Sequence, residues 1–254
     1  MKINTHLNPQ YSELSEFIDL IPSLFSFGGK VLFEQRNIIK IYPVKGFVLN
    51  VKSFKVPNLI NKIVYLRFRK SKARRSYENA MEIKKLGIST PDPVAYIETM
   101  RYGLFYESYY VSLHEEVDGI MKDIYRQTDR ESEKLISQFS LFTANIHEKS
   151  IYHNDYSPGN ILYKRRGANY QFLLVDLNRI TFKNIDIFEG ARSFSRIRLP
   201  PYTLRKIAGI YAQSRKFDIV LCERLIDKYN RTFWRKYLRR HPEAQERNLV
   251  NENK

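Results

Sequence analysis

Residues 151–162 read I-Y-H-N-D-Y-S-P-G-N-I-L, and residues 172–179 read F-L-L-V-D-L-N-R. The first stretch places Asp155 two residues after His153, and Asn160 five residues after Asp155. The second places Asp176 sixteen residues after Asn160, on an apolar run typical of a short buried strand. Together they supply two carboxylates and one carboxamide around a polar turn between short strands.

These three side chains match the needs of phosphoryl transfer. That reaction requires one carboxylate that orients the attacking hydroxyl and accepts its proton, and oxygen ligands for a magnesium ion on the nucleotide phosphates. Asp155 suits the first role, and Asn160 and Asp176 suit the second. The alternative is structural, in which the same residues form a polar turn and a strand-end cap. His153 joins the candidate catalytic set, and we expect it to support the turn by a buried hydrogen bond.

The first half of the chain has the pattern of an antiparallel sheet with one main helix. Ser71 is a candidate N-cap for a helix over residues 72–86, which Gly87 ends. Pro91 and Pro93 forbid helix before the strands that follow. Short β-type runs separated by polar or glycine positions predict strands at residues 31–33, 38–42, 47–54, 94–98 and 103–113.

The second half is predicted to be largely helical. A one-sided apolar stripe indicates a helix from near Glu131 to near His147. Its members are Leu135, Phe139, Phe142 and Ile146. Short strands are expected at residues 160–163 and 171–177, and helices from Pro201 onward. The prediction is an α+β chain in two lobes, residues 1–115 and residues 116–254.

Composition excludes several classes of protein. The chain has 254 residues, 43 Lys and Arg against 27 Asp and Glu, and a formal net charge of +16. Cys222 is the single cysteine, which excludes an intramolecular disulfide or a cysteine-rich zinc site and favours a reducing cytosol. The polar first residues and the interrupted apolar stretches predict neither an export signal nor a membrane-spanning helix.

The positive charge is concentrated in two clusters. The first lies within residues 62–75, which contain no acidic residue. The second, here called the C-terminal basic cluster, consists of Lys228, Arg231, Arg235, Lys236, Arg239 and Arg240, interleaved with aromatic residues. Such clusters attract anionic partners, either nucleic acid, phosphorylated sugars or an acidic lipid surface. The alternative is a solvated basic face that only keeps the protein in solution.

The segment around Asp155 resembles the catalytic loop H-x-D-x-x-x-x-N of protein-kinase-like phosphotransferases, and Asp176 resembles their metal-binding aspartate. The resemblance implies a two-lobed α+β fold with a small antiparallel-sheet N-lobe and a mostly helical C-lobe. It also implies that Lys52, in V-L-N-V-K at 48–52, holds the α- and β-phosphates of ATP and that Glu78 pairs with it. Lys55 and Glu82 are the competing candidates for these two roles.

Other parts of a nucleotide site follow from the same resemblance. The backbone from Leu113 to Glu116, including Glu115, is expected to meet the adenine ring. Gly28 and Gly29 are candidates for the loop over the phosphates, but they lack the full G-x-G-x-x-G pattern, so an ordinary turn is an equal alternative.

Departures from the protein-kinase pattern point to a smaller acceptor than a protein. Asn154 follows His153 where protein kinases have arginine, Ser157 replaces the usual lysine, and Asn178 stands where D-F-G has glycine. No A-P-E follows. The chain is most similar to the lipopolysaccharide kinase family, whose enzymes phosphorylate 3-deoxy-manno-octulosonic acid (Kdo) or heptose. The similarity is carried by S-K-A-R-R-S-Y at 71–77, L-G-I-S-T-P-D-P at 86–93, Y-H-N-D-Y-S-P-G-N-I at 152–161 and D-L-N-R at 176–179.

This resemblance implies a dependence on ATP and Mg²⁺, a sugar hydroxyl as acceptor, and work at the cytoplasmic face of the bacterial inner membrane as a peripheral protein. The net charge of +16 suits an anionic glycolipid such as Kdo-lipid A and an anionic membrane surface, and it disfavours polycationic substrates. Nucleic acid is not the expected partner, and the oligomeric state stays open. Two rivals remain: a kinase of a protein or soluble sugar, and a catalytically silent kinase fold that binds RNA or acidic lipid.

Overall fold

A computed structural model describes residues 1–35, 37–54, 70–126 and 130–242. The chain divides into two compact units. The first comprises Met1–Glu116 and Leu173–Arg179, and the second comprises Val117–Phe172 and Ile180–Lys254. The chain therefore returns briefly to the first unit, and this return carries Asp176. Lys55 and the part of the first basic cluster before Lys70 lie outside the described residues.

The first unit is built on a six-stranded antiparallel sheet with the strand order β1-β5-β6-β4-β3-β2. The strands are β1 (Lys2–Leu7), β2 (Lys30–Glu34), β3 (Ile38–Val44), β4 (Phe47–Phe54), β5 (Pro93–Arg101) and β6 (Leu104–Leu113). The five strands predicted in this region are confirmed. Strand β1, which pairs with β5, was not predicted.

Side chains alternate between the two faces of this sheet, and the two faces pack against different helices. Leu49 and Val51 of β4 belong to the larger core, which also contains Ile18 and Ile21 of α1 (Ser15–Leu24). Phe54 of β4 belongs instead to a smaller cluster with Ala73, Tyr77 and Tyr96. Lys52 is two residues from Phe54, so it shares the face that is covered by the second helix, α2 (Lys72–Lys85).

Helix α2 begins and ends where the sequence predicts. Ser71 is the N-cap, and its hydroxyl accepts a hydrogen bond from the backbone N–H of Arg74 at 3.0 Å. Gly87 follows the helix with a φ of 72°, in the left-handed region where glycine has no Cβ penalty.

The second unit is mainly helical, as predicted. Its helices are α3 (Arg130–Glu148), α4 (Ile187–Ser193), α5 (Pro201–Arg215) and α6 (Ile219–Arg240). The predicted stripe on α3 is confirmed, since Leu135, Phe139 and Ile146 are fully or almost fully buried and Phe142 is half-buried. Strands β7 (Gly119–Ile120), β9 (Ile161–Arg166) and β10 (Asn169–Leu174) form one small sheet, and β8 (Ile151–His153) pairs with β11 (Ile180–Phe182) in another.

The predicted α+β class is confirmed by these elements. In the described part of the chain, no helix combines the length and apolar character needed to cross a bilayer.

Candidate active site

The candidate site residues of the first unit centre on an ion pair between Lys52 and Asp176. Lys52 lies near the end of β4, and its Nζ is 2.5 Å from Asp176 Oδ1. The two side chains are only 15% and 22% exposed. The ammonium also lies 5.2 Å from the centre of the Phe54 ring, a distance within the range of a cation–π contact. Lys52 is therefore a partly buried, paired lysine and not a solvent-facing one.

Asp176 lies beyond the end of its strand. The sequence predicts strand through residue 177, but β10 ends at Leu174 and Asp176 has a φ of 58°. This left-handed backbone is uncommon outside glycine, although aspartate tolerates it better than most residues. The prediction of a strand-borne Asp176 is thus wrong. A short 3₁₀ turn at Leu177–Arg179 follows, and Asn178 Nδ2 donates to Asp176 Oδ1 at 2.8 Å.

Two side chains of α2 hold this turn in place. Asn79 Nδ2 donates to the carbonyl of Leu177 at 2.7 Å, and Arg75 Nη1 donates to the carbonyl of Asn178 at 2.8 Å. On the strand side, Thr90 Oγ1 donates to the carbonyl of Leu174 at 2.8 Å. The backbone carbonyls on both sides of the turn are therefore bonded to side chains that lie 84 to 103 positions away in sequence.

Glu78 contacts cations other than Lys52. Its carboxylate accepts from Lys70 Nζ at 2.8 Å and from Arg74 Nε at 2.9 Å. Burial acts to raise the pKa of the Glu78 carboxyl, but the bonds from Lys70 and Arg74 outweigh it and lower the pKa. A Lys52–Glu78 pair is not among the ion pairs of the described residues. The reason is local, since Arg74 stands one helical turn before Glu78. Glu82, the competing residue, lies 3.5 Å from Lys85.

Gly28 and Gly29 lie in the turn that joins α1 to β2. The Gly28 carbonyl accepts from Lys40 Nζ at 2.9 Å and from the Tyr42 hydroxyl at 3.0 Å. Gly29 has a φ of 80°, and a Cβ there would come within 2.5 Å of the Tyr42 ring. Both glycines are thus explained by the turn, the alternative that the sequence left open, and a role over the nucleotide phosphates stays a prediction.

The segment expected to meet adenine lies at the end of β6. The backbone N–H of Leu113 donates to the carbonyl of Asp92 at 2.9 Å, and that of His114 donates to the carbonyl of Val48 at 2.7 Å. After Leu113 the chain leaves the strand and runs through Glu115 without regular structure.

The remaining candidates form a closed turn in the second unit. His153 ends β8 and is 2% exposed, and its Nδ1 accepts from the backbone N–H of Asp155 at 3.1 Å. Asn160 Nδ2 donates to the carbonyl of Asp155 at 2.9 Å. Two side chains of the motif therefore fix the Asp155 backbone: His153 bonds to its N–H and Asn160 to its carbonyl. The buried Tyr156 bonds through its hydroxyl to Thr143 of α3 at 2.8 Å, which anchors the turn to the helical core.

A residue that the sequence did not single out contacts the Asp155 carboxylate. Arg196 forms an ion pair through Nη1 with Asp155 Oδ1. The Arg196 side chain is 36% exposed and that of Asp155 is 17% exposed. The two residues are 41 positions apart, so motif spacing carried no signal for this contact. The only hint in the sequence is the density of arginine in R-S-F-S-R-I-R at 192–198.

The donor atoms of Asp176 and Asn160 suit magnesium. Both offer oxygen, and the Asn160 amide uses its nitrogen toward Asp155, which leaves its oxygen as the atom for a cation. Within the described ranges, no group of three or more His, Cys, Asp and Glu side chains forms a metal cluster. Mg²⁺ on a nucleotide is typically held by one or two carboxylates, phosphate oxygens and water, so each of these two side chains is by itself a suitable ligand for this ion.

Comparison with known families agrees with the motif analysis. The model of the lipopolysaccharide kinase (Kdo/WaaP) family matches residues 55–193, more than half of the chain. The chain belongs to this family. The matched range includes α2, the Asp155 turn and Asp176, whereas Lys52 precedes it and Arg196 follows it. The resemblance predicted from the motifs is confirmed, and a phosphotransferase of the lipopolysaccharide kinase class is supported.

One solved structure confirms the kinase-like fold. A structure described as WaaP in complex with acyl carrier protein matches with a TM-score of 0.61, covering 92% of this chain and 97% of that one at 16% identity. A co-crystal structure of WbdD with the kinase inhibitor LY294002 has a TM-score of 0.44, covers 78% of this chain and 44% of that one, and is 18% identical. The search of curated proteins gave no match.

Proposed function

We propose that the protein transfers the γ-phosphate of ATP to a hydroxyl of a Kdo or heptose residue in the lipopolysaccharide inner core. The observation that carries this proposal is the Lys52–Asp176 ion pair, with 2.5 Å between the amine and the carboxylate. A phosphate-binding cation beside a metal-binding carboxylate is the arrangement that nucleotide phosphoryl transfer needs. Family membership supports the same chemistry.

The residues of the first unit serve the nucleotide in this proposal. Lys52 binds the α- and β-phosphates, and Asp176 supplies a carboxylate to Mg²⁺, which neutralises charge on the transferred phosphate when it is bound. The backbone from Leu113 to Glu116 meets adenine. Glu78 acts indirectly, because it orients Arg74 and Lys70 at the start of α2 and so helps to fix the helix that holds the Asp176 turn.

The residues of the second unit serve the acceptor. Asp155 orients the acceptor hydroxyl and takes its proton as the bond to phosphorus forms. Asn160 contributes its amide oxygen to Mg²⁺. His153 is a positioning residue, since it is buried and bonds to the backbone N–H of Asp155.

The charge of the chain favours an anionic glycolipid over the rival acceptors. The net charge is +16, and Arg235, Lys236, Arg239 and Arg240 of α6 are exposed. Exposed cations bind acidic lipid head groups with about 1 kcal/mol each near an anionic leaflet. We therefore propose that the enzyme works peripherally at the cytoplasmic face of the inner membrane, on a substrate such as Kdo-lipid A.

The test is a transfer assay with the full chain, γ-labelled ATP and Mg²⁺. Three acceptors are offered separately: Kdo-bearing lipid A, free heptose, and casein as a protein acceptor. We expect label on the glycolipid, and turnover lowered about 10²–10⁴-fold by Asp155→Asn. The matched control is Asp227→Asn, which makes the same chemical change on α6. We expect its turnover to equal that of the parent chain.

Each rival has its own outcome in this assay. Label on casein or free heptose alone would replace the glycolipid by another acceptor. A chain that neither hydrolyses ATP nor labels any acceptor would be a silent kinase fold. Full activity in Asp155→Asn would remove Asp155 from the mechanism.

A further inference from the structure

The segment that carries Arg196 also carries two further arginines, and all three are placed over aromatic rings of α6. The Arg192 guanidinium carbon lies 5.0 Å from the ring centre of Tyr229. That of Arg196 lies 5.6 Å from Phe233, and that of Arg198 lies 5.2 Å from Trp234. Cation–π contacts of significant energy occur about once per 70–80 residues. Three of them in the seven positions from 192 to 198 indicate a built arrangement.

Helix α6 also fixes the backbone of this segment. Asn230 is buried, and its Nδ2 lies 2.6 Å from the carbonyl oxygen of Ile197 and 3.2 Å from those of Phe194 and Ser195. Trp234 Nε1 reaches the carbonyl of Ile197 at 3.4 Å. The face of α6 that bears the aromatic rings therefore also holds the turn from which the arginines project. An arginine held in this way loses less entropy when it binds a ligand.

The middle arginine connects this arrangement to the proposed catalytic carboxylate. Arg196 bonds to Asp155 through Nη1. A guanidinium carries five N–H donors in a planar fork, so one that bonds to a carboxylate through Nη1 still has donors for a second anion. Arg192 and Arg198 are exposed on either side of it in sequence, and both carry the same charge. Arg196 therefore contacts the carboxylate that is proposed to receive the acceptor hydroxyl, and Arg192 and Arg198 flank it over neighbouring rings of the same helix.

We propose that Arg192, Arg196 and Arg198, supported by the aromatic face of α6, form the site that binds an anionic group of the acceptor sugar beside its reacting hydroxyl. The inference rests on the proposed function, because it names the substrate chemistry of the same site. The ligand is a phosphate or carboxylate carried on a sugar. Arg196 bridges this anion and Asp155, and so sets the position of the hydroxyl relative to the carboxylate.

The proposed arginine site and a general basic surface depend on different properties of the protein. A solvated basic face attracts any anionic membrane and depends on the number of charges. The arginine site depends on guanidinium geometry at fixed positions, because a planar fork binds phosphate and carboxylate through two hydrogen bonds. Arg224 provides the comparison, because it is exposed on α6 but belongs neither to the arginine site nor to the C-terminal basic cluster.

The chain contains its own reporter for the test. Trp234 is the single tryptophan, and its ring lies next to Arg198. Its fluorescence can be followed while the full chain, without ATP, is titrated with phosphatidylcholine vesicles that contain Kdo-bearing lipid A. Vesicles with phosphatidylglycerol at the same charge density are the membrane control. Inorganic phosphate and free Kdo are added as soluble competitors, so that binding of the phosphate or of the carboxylate can be told apart.

We expect saturable binding of the glycolipid vesicles that is tighter than binding of the phosphatidylglycerol vesicles. Loss of a charge-assisted hydrogen bond in Arg196→Gln should raise the Kd about tenfold. Arg192→Gln should raise it in the same direction, and Arg196→Lys should recover only part of the loss. Arg224→Gln, with the same change in charge, should bind like the parent chain. At least one of the two soluble anions should compete.

Several results would overturn the site. They are an unchanged Kd in both Arg196→Gln and Arg192→Gln, an equal loss in Arg224→Gln, equal binding of both kinds of vesicle, or no competition by either anion. The two proposals fail in different ways. If the chain shows the expected binding pattern but transfers no phosphate, only the kinase function is refuted. If the chain phosphorylates the glycolipid but lacks this binding pattern, only the arginine site is refuted.

Discussion

The amine of Lys52 and the carboxylate of Asp176 lie 2.5 Å apart, although 124 residues separate them in sequence. Both side chains are largely withdrawn from water, with 15% and 22% of their surface exposed. A charge in such a place depends on its partner, because removal of one member leaves the other desolvated and uncompensated. The pair that is proposed to bind the nucleotide is therefore also a structural element of the first unit.

The first prediction concerns the stability of this pair. Lys52→Met should lower the free energy of unfolding by about 1.5–3 kcal/mol, the usual contribution of a hydrogen bond to a charged group. The double variant Lys52→Met with Asp176→Asn should be more stable than Lys52→Met alone, because it no longer contains a partly buried carboxylate that has lost its ammonium. Urea unfolding of the parent, both single variants and the double variant measures the coupling. Additive losses in this cycle would contradict an energetic link between the two residues.

The second prediction concerns the way α2 holds the Asp176 turn. Asn79→Ala removes the donor to the Leu177 carbonyl, which should free the turn and displace the Asp176 carboxylate. We expect the concentration of Mg²⁺ for half-maximal phosphate transfer to rise about tenfold, the effect typical of losing a hydrogen bond that orients a metal ligand. Glu82→Ala on the same helix is the control, since Glu82 makes only a 3.5 Å contact with Lys85. An unchanged Mg²⁺ requirement in Asn79→Ala would separate α2 from the metal site.

Much of this architecture was predictable because its determinants are local. The Ser71 cap and Gly87 bound α2, and the apolar stripe on α3 follows from residues three and four positions apart. The Asp155 turn was also predictable, because His153 and Asn160 bond to a backbone only two and five residues away. In each case, the residue type and its spacing contain the whole interaction.

Most of what the sequence did not predict depends on long-range contacts. The pairing of Glu78 with Arg74 is the exception, because it is a local contact at the i,i+4 spacing that favours ion pairs on a helix. The turn after Asp176 is held by α2 partners that are 98 and 103 positions away, and the Arg196 contact joins residues 41 positions apart. Strand β1 lacks a strong pattern of its own and is held by pairing with β5. None of these long-range contacts has a signature at fixed spacing.

The third prediction concerns pH and the buried His147 of α3. Its Nδ1 lies 2.8 Å from the Tyr211 hydroxyl, and its Nε2 lies 3.3 Å from Ser193 Oγ. Burial, with a smaller contribution from Arg215, lowers the pKa of His147 from 6.5 to about 3. The folded protein thus keeps this imidazole neutral, whereas the unfolded chain binds a proton near pH 6.5. The stability that His147 contributes is complete above pH 6.5 and is lost as the pH falls toward 3.

His147→Gln should therefore show a weaker dependence of stability on pH below 6.5 than the parent chain. The difference in slope should approach one proton, or about 1.4 kcal/mol per pH unit. Urea midpoints measured over this range provide the test. Tyr211→Phe is the control, because it removes one hydrogen bond but keeps the histidine, so its slope should stay close to that of the parent. Equal slopes in parent and His147→Gln would show that another group dominates acid unfolding.

The fourth prediction concerns the C-terminal basic cluster and membranes. Arg235, Lys236 and Arg239 are exposed on α6, and each should contribute about 1 kcal/mol to binding of an anionic leaflet. Their joint replacement by glutamine should weaken binding to phosphatidylglycerol vesicles on the order of a hundredfold, since each 1.4 kcal/mol is tenfold in Kd. Binding should also depend less on salt, because exposed charges are screened over about 8 Å at physiological ionic strength.

Vesicle co-sedimentation over a range of salt concentrations measures both quantities. The matched control replaces three exposed lysines of the first unit, Lys2, Lys30 and Lys85, so that the net charge falls by the same amount. If both triple variants lose affinity equally, the net charge and not α6 determines docking. If binding of the parent chain is insensitive to salt, the C-terminal basic cluster does not dock the protein electrostatically and serves only to keep it in solution.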